Sequence, residues 1–145
     1  MLFAVEPNDS VFSALSLMLE NHISCVAVLA GGELGGAPPS LSGVLTQTDY
    51  LRRVALPRSD PDEVVCRDVM TPAADIAYVF AGNSVDSCLA VMAQARCHHL
   101  PVFTDTPEAK GELLGVVSME ELLGLTAEVR EQSSGALSSA LARIQ

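Results

Sequence analysis

Two short stretches of this 145-residue chain combine residue types able to hold a ligand. One is Gly43-Val44-Leu45-Thr46-Gln47-Thr48-Asp49 and the other Gly115-Val116-Val117-Ser118-Met119-Glu120-Glu121. In each, an apolar run that reads as a strand meets a segment that reads as a helix. A hydroxyl, Thr46 or Ser118, stands at the junction, and a carboxylate, Asp49 or Glu121, follows three residues on. That spacing is a capping box, in which the hydroxyl accepts a backbone N–H of the first turn and the carboxylate reaches back to the N–H of the cap. The same groups suit a phosphate and a ribose. A fresh helix N-terminus offers free N–H groups and a positive dipole end to a phosphate. The hydroxyl adds a donor, and the carboxylate one turn in accepts both hydroxyls of a ribose. The two readings are compatible, because a capping group can turn to a ligand.

Other side chains with chemical potential read more plainly. His98 and His99 open an apolar strand and read as a solvated loop edge. Arg52 and Arg53 follow Asp49 and read as a solvated helix face. Asp60, Asp62 and Glu63 read as an acidic linker rather than a Mg²⁺ site. The four cysteines, Cys25, Cys66, Cys88 and Cys97, contain no C-x-x-C pair, so zinc spacing is absent and no metal site is expected. Cys25 lies in an apolar run and Cys88 on an apolar helix face, which predicts buried free thiols and a reducing compartment. No nucleophile–base pair is visible. The reading is therefore non-catalytic, with no catalytic residues.

The elements that position these groups follow from hydrophobic period. Asp9-Ser10 marks a helix start, with Val11, Ala14, Leu15 and Met18 on one face to about Asn21. Ile23 to Leu29 is a buried strand, Gly31 to Ser42 a flexible loop, Leu41 to Leu45 a strand and Thr46 to Val54 a helix. Pro57 to Asp62 is a polar linker. Val64 to Met70 is a short helix ended by Thr71-Pro72, Ile76 to Phe80 a strand, and Gly82-Asn83-Ser84 a turn and cap. The pattern then repeats. Ser10, Leu15, Met18 and Val28 match Ser84, Leu89, Met92 and Val102 at an offset of 74, and Gly43, Thr46 and Asp49 match Gly115, Ser118 and Glu121 at an offset of 72. Self-similarity of this length means two copies of one unit, each strand-helix-strand-strand-helix. One such unit buries too little surface to be secure alone, so two are expected to pack about a pseudo-twofold. The fold class is α/β (α+β), with tandem β-α-β-β-α repeats. The divisions are 1–56 for the first repeat, 57–65 for a linker, 66–126 for the second repeat and 127–145 for a C-terminal helix or tail, with Val129 to Ile144 as the helix.

Bulk composition removes other functions. The chain is 49% hydrophobic but 4% aromatic with no Trp, so its core is Val, Leu, Ala and Met. A formal net charge of −10 argues against nucleic acid and against anionic membranes. No apolar run approaches the ~20 residues of a membrane span, and Met1 to Pro7 is too short for a signal peptide. An intracellular soluble protein of cytoplasm or organelle matrix is expected, either a fragment or a chain from which a targeting segment was removed.

Taken together, Val69-Met70-Thr71-Pro72, His99-Leu100-Pro101-Val102 and both Gly-Val-x-Thr/Ser-x-x-acid turns resemble a pair of CBS (cystathionine-β-synthase) domains over residues 2 to 126. Asp49-Tyr50-Leu51-Arg52 and the tail look most like small stand-alone paired-CBS proteins of plants and bacteria. The resemblance implies a regulatory module for adenosine-containing ligands, namely AMP, ADP, ATP or S-adenosylmethionine, possible Mg²⁺ with the nucleotide, and a homodimer. It also implies a regulated enzyme or thioredoxin-like partner. The alternative is a ligand-free module for dimerisation or protein docking. By the family pattern Thr46 and Ser118 contact phosphate and Asp49 contacts ribose. Glu121 is one methylene longer than that pattern. His98-His99-Leu100-Pro101 resembles a His-Arg-Leu-Pro run whose basic pair touches phosphate, with His99 in place of Arg. The ligand set so implied is Thr46, Asp49, Thr71, His98, His99, Pro101, Ser118 and Glu121. The first repeat lacks an upstream Met-Thr-Pro and carries Ala27 where the pattern often has Pro.

Overall fold

The computed structural model describes residues 2–32, 38–105 and 111–129. The predicted C-terminal helix beyond Val129 and the middle of the Gly31–Ser42 loop lie outside these residues. Leu2–Ile76 form one compact unit and the residues from Ala77 onward the other.

In the first unit the order is β1 (Ala4–Val5), α1 (Val11–Glu20), β2 (Cys25–Ala30), β3 (Ser40–Thr46) and α2 (Gln47–Tyr50). The segment that follows supplies α3 (Cys66–Val69) and β4 (Thr71–Pro72). The four strands form one sheet, β1-β2-β3-β4, parallel only between β1 and β2. In the second unit β5 (Val79–Phe80), α4 (Val85–Ala95), β6 (His99–Phe103), β7 (Leu113–Ser118) and α5 (Met119–Val129) repeat the plan, with sheet order β5-β6-β7. The mixed α+β class and the strand-helix-strand-strand-helix unit read from the sequence are therefore the observed ones.

The duplication reaches into local chemistry. Ser10 and Ser84 each cap a helix by accepting the N–H of the third residue on, from Ser13 and Ser87. The preceding turn is closed in both copies by a side-chain oxygen, Asp9 for the Glu6 N–H and Asn83 for the Phe80 N–H, each at 2.8 Å. Both helices end on a basic residue in the left-handed region, His22 at φ 54° and Arg96 at φ 52°. In each, the next residue bonds back to a methionine carbonyl, Ile23 to Met18 and Cys97 to Met92. β2 and β6 carry the same bulge, at Val28/Leu29 and Val102/Phe103. Matched cores follow. Val11, Ala14, Met18, Val26, Val28 and Leu45 are buried in the first, and Val85, Cys88, Met92, Leu100, Val102 and Val117 in the second.

Three elements differ from expectation. The helix predicted over Thr46–Val54 is four α-helical residues followed by a π-helical turn, Leu51–Ala55, closed by the Leu56 N–H on the Leu51 carbonyl. That widening lets Val54 reach the core while Leu51 stays exposed. The strand predicted over Ile76–Phe80 shortens to Val79–Phe80, because Ala73–Asp75 close a 3₁₀ turn first. Thr71-Pro72 does more than end a helix. It forms β4, with Thr71 opposite Val44 and Pro72 opposite Gly43. Proline is compatible with this edge position because its missing N–H can face away from the ladder. No helix among the described residues is long and apolar enough to cross a membrane.

Gly43 is the residue that admits β4. A Cβ there would collide with the Thr71 carbonyl and lie 2.8 Å from the Met70 sulfur. Gly124, in α5, has nothing within 4 Å of an added Cβ. Gly43→Ala is expected to destabilise by about 1–3 kcal/mol through overpacking, and Gly124→Ala to stabilise by about 0.5–1 kcal/mol through lost unfolded-state entropy. Urea unfolding of both variants checks the opposite signs.

Candidate functional site

β3 carries Thr46 to the end of the first sheet, where α2 begins. The Thr46 backbone is extended, and its hydroxyl accepts the Asp49 N–H at 3.1 Å. Asp49 returns the contact. Its Oδ2 accepts the Thr46 N–H at 3.1 Å and the Thr46 hydroxyl at 3.0 Å. A further donor comes from 22 residues away, the Thr71 hydroxyl, 3.1 Å from Oδ1 and 3.3 Å from Oδ2. Asp49 is 9% exposed and is the one charged side chain counted as buried among the described residues. A carboxylate so placed needs donors in place of the water it has lost, and the turn and β4 provide them. The capping-box reading is thus realised in full, and Asp49 is a rigidly held, acceptor-only group.

Arg53 supports this arrangement. Its Nη1 donates to the Val69 and Met70 carbonyls at 3.0 and 2.8 Å. These are the orphan carbonyls at the end of α3, directly before Thr71. Arg52 and Arg53 are both exposed, as a solvated helix face implies, and Arg53 in addition ties the α2 region to α3. The sequence carries no signal for it, because the partners are backbone atoms 16 and 17 residues away.

In the second unit Ser118 and Glu121 repeat the box, with the Ser118 N–H on Glu121 Oε2 at 2.7 Å and the Glu121 N–H on the Ser118 hydroxyl at 3.1 Å. His99 lies opposite Ser118 in the β6–β7 ladder, and the His98 carbonyl accepts the Met119 N–H at 2.8 Å. The histidine pair therefore flanks the second turn at the end of its own sheet, His98 exposed and His99 half-buried. The matching places in the first unit are Ser24 and Cys25, with the Ser24 carbonyl accepting the Gln47 N–H and Cys25 opposite Thr46. Pro101 is buried opposite Val116. The eight residues thus fall into two groups. Thr46, Asp49 and Thr71 lie in the first unit, and His98, His99, Pro101, Ser118 and Glu121 in the second.

The family model described as CBS domain matches twice, over residues 2–56 and 66–128. The chain is 26% identical to the mitochondrial CBS domain-containing protein CBSX3 of Arabidopsis thaliana across 80% of its own length and 52% of that protein. It therefore spans about half the length of that relative. Among solved structures, a protein with CBS domains from Burkholderia ambifaria is similar at 29% identity and a TM-score of 0.74, over 88% of this chain and 85% of that one. A CBS domain protein from Pyrobaculum aerophilum, solved in complex with AMP, shares the fold at 19% identity and a TM-score of 0.70, over 92% of both chains.

All four cysteines are free, with Cys25, Cys66 and Cys88 buried and Cys97 partly exposed. Burial, with the Asp9 carboxylate adding to it, pushes the Cys66 thiol from 9.0 up to about 11. Burial also raises Cys88 and Cys97, although backbone hydrogen bonds at His99 and Cys97 pull the latter back. Among the described residues no three His, Cys, Asp or Glu side chains gather as a metal site. A raised thiol pKa means the native state holds its proton longer than the unfolded chain. Its contribution to stability is complete below pH 9.0 and is lost as pH rises through about 11. Native protein at pH 8 is expected to react slowly with a chromogenic disulfide reagent, Cys97 first, and all four thiols rapidly once denatured. Equal rates in both states would contradict this placement.

Proposed function

The chain belongs to the CBS domain family, and on that premise we propose that it is a non-catalytic regulatory module sensing adenosine-containing ligands: AMP, ADP, ATP or S-adenosylmethionine. CBS domain pairs are regulatory, and a protein of the same fold has been solved with AMP. The observation that carries the reading is the Asp49 carboxylate, buried and aimed by three donors. An acceptor pair held that firmly is organised before a vicinal diol arrives. In this reading Asp49 takes the ribose and Thr46 the phosphate. Thr71 lines this first turn, and at the second turn His98 and His99 supply hydrogen-bond donors toward phosphate beside Pro101. Ser118 and Glu121 form a weaker copy. With a net charge of −10, a triphosphate needs Mg²⁺ or salt screening more than AMP does.

Occupancy would be passed to an attached domain, a regulated enzyme or a thioredoxin-like partner, in a homodimer. In the sequence Leu51, Val54, Leu122, Leu123 and Leu125 read as apolar residues beyond one face of the helices beside the two turns, a surplus that points to a homodimer. Of Leu51, Val54, Leu122, Leu123 and Leu125, the second, third and fifth are core, because the π-helical turn and α5 direct them inward. Leu51 and Leu123, at matched positions, remain 57% and 54% exposed.

One observation favours the second reading, a ligand-free docking module. Both turn carboxylates already do structural work as caps. Calorimetric titration with AMP, ADP, ATP and S-adenosylmethionine separates the two. Binding is expected, and Asp49→Ala should weaken it by roughly ten- to a hundredfold, the worth of a hydrogen bond to a charged group. Glu121→Ala should weaken it less. Loss of binding in Glu121→Ala with none in Asp49→Ala would place the working site at the second turn, and no binding of any ligand would favour docking. Folding is checked in both variants because each removes a cap.

A further inference from the structure

Thr71 stands in an unusual relation to Asp49. A carboxylate has about four lone-pair positions for donors. On Asp49 the Thr46 N–H and hydroxyl both use Oδ2, while the Thr71 hydroxyl lies within reach of both oxygens. That straddling position is where a hydroxyl of a vicinal diol must come. The carboxylate is almost wholly buried, and the Thr71 hydroxyl is the donor that serves Oδ1. The Thr46 donors belong to the turn itself. Thr71 belongs to β4, a strand of two residues paired on one side only.

We infer that Thr71 is a competitor in cis for the Asp49 carboxylate, and that a ligand diol binds by displacing its hydroxyl and so loosens β4. This rests on the reading that Asp49 receives a ribose. It adds a regulatory consequence to that reading and reverses the role which the family resemblance implies for Thr71, that of a ligand contact. β4 packs in the first unit, held by Thr71 on Asp49 and by the ladder to Val44 and Gly43, while Arg53 binds the carbonyls of Val69 and Met70 just before it. Removing the first leaves β4 on a two-residue ladder beside that arginine, while α3 keeps its own anchors, the Cys66 and Arg67 N–H groups on the Asp9 and Pro7 carbonyls and the buried Cys66 and Val69. Ligand occupancy at the first turn is then reported as looser docking of β4 and, through it, of α3.

The test uses the full chain and AMP. Thr71→Val keeps the β-branched shape and removes only the competing hydroxyl, and Thr71→Ser keeps the hydroxyl. By calorimetry Thr71→Val is expected to bind AMP roughly ten- to a hundredfold more tightly than wild type, the gain from removing one competing hydrogen bond to a charged group. Thr71→Ser should stay close to wild type. In wild-type protein AMP should speed hydrogen exchange across residues 66–76 and trypsin cleavage after Arg67, whose side chain is 58% exposed. These wild-type readouts decide the matter even where Thr71→Val fails to fold. Equal or weaker AMP binding by Thr71→Val, or slower exchange over 66–76 on adding AMP, would overturn the inference while leaving the ligand reading intact. No AMP binding by wild type would overturn both.

Discussion

An ionised carboxylate does not survive burial without donors, and much of the first unit answers that constraint at Asp49. Leaving such a group unpaired in a protein interior is strongly unfavourable. The turn supplies two donors through Thr46, and the third comes from Thr71. For Thr71 to arrive, β4 must pair against β3, which requires a residue without a side chain at Gly43. For β4 to stay, the carbonyls that precede it need a partner, and Arg53 is that partner. One buried charge thus links a glycine in a strand, an arginine in a π-helical turn and a threonine after the linker.

The second unit shows how much of this belongs to the repeat and how much to the first copy. Helix caps, the closing turns before α1 and α4, the bulge and the core positions are shared. The acid is not. Glu121 reaches its cap at 2.7 Å and is only half-buried. The histidines flank this second turn, whereas the first has Ser24 and Cys25 in those places. The better-held acid and the titratable nitrogens therefore belong to different copies, which is the asymmetry a duplicated module needs before its halves can take different work.

Most of the fold was legible in the sequence because its signals are local. Ser10 and Ser84 announce helices that begin where read, the strand read over Ile23–Leu29 is observed at Cys25–Ala30, and the strand read as opening at the histidine pair runs His99–Phe103. The Thr46–Asp49 and Ser118–Glu121 boxes were visible from spacing alone. What escaped was non-local or subtle in backbone energy. Thr71 and Arg53 act on partners 22 and 16 or 17 residues away, and no periodicity encodes that. A π-helical turn at Leu51–Ala55 has the same residue preferences as an α-helix and is selected by packing of Val54. Leu122 and Leu125 read as surplus apolar surface because the narrow stripe of a short helix cannot be assigned without knowing what it faces.

The strength of the Asp49 contacts also bounds what the module can transmit. A ligand shifts a two-state element only by its differential affinity for the two states. If the element is β4 and the difference is one hydrogen bond to a charged acceptor, the coupling free energy is about 1.5–3 kcal/mol, a population shift of roughly ten- to a hundredfold. That range matches the usual size of coupling between distinct sites. It is enough to change which partner-binding state dominates when β4 rests near balance, and too small to unfold the unit, whose core of Val11, Met18, Val26, Val28 and Leu45 is elsewhere. A signal of this size needs a lightly held reporter. A two-residue strand joined on one side fulfils that condition, where a longer strand buried within the sheet would absorb the same free energy without moving.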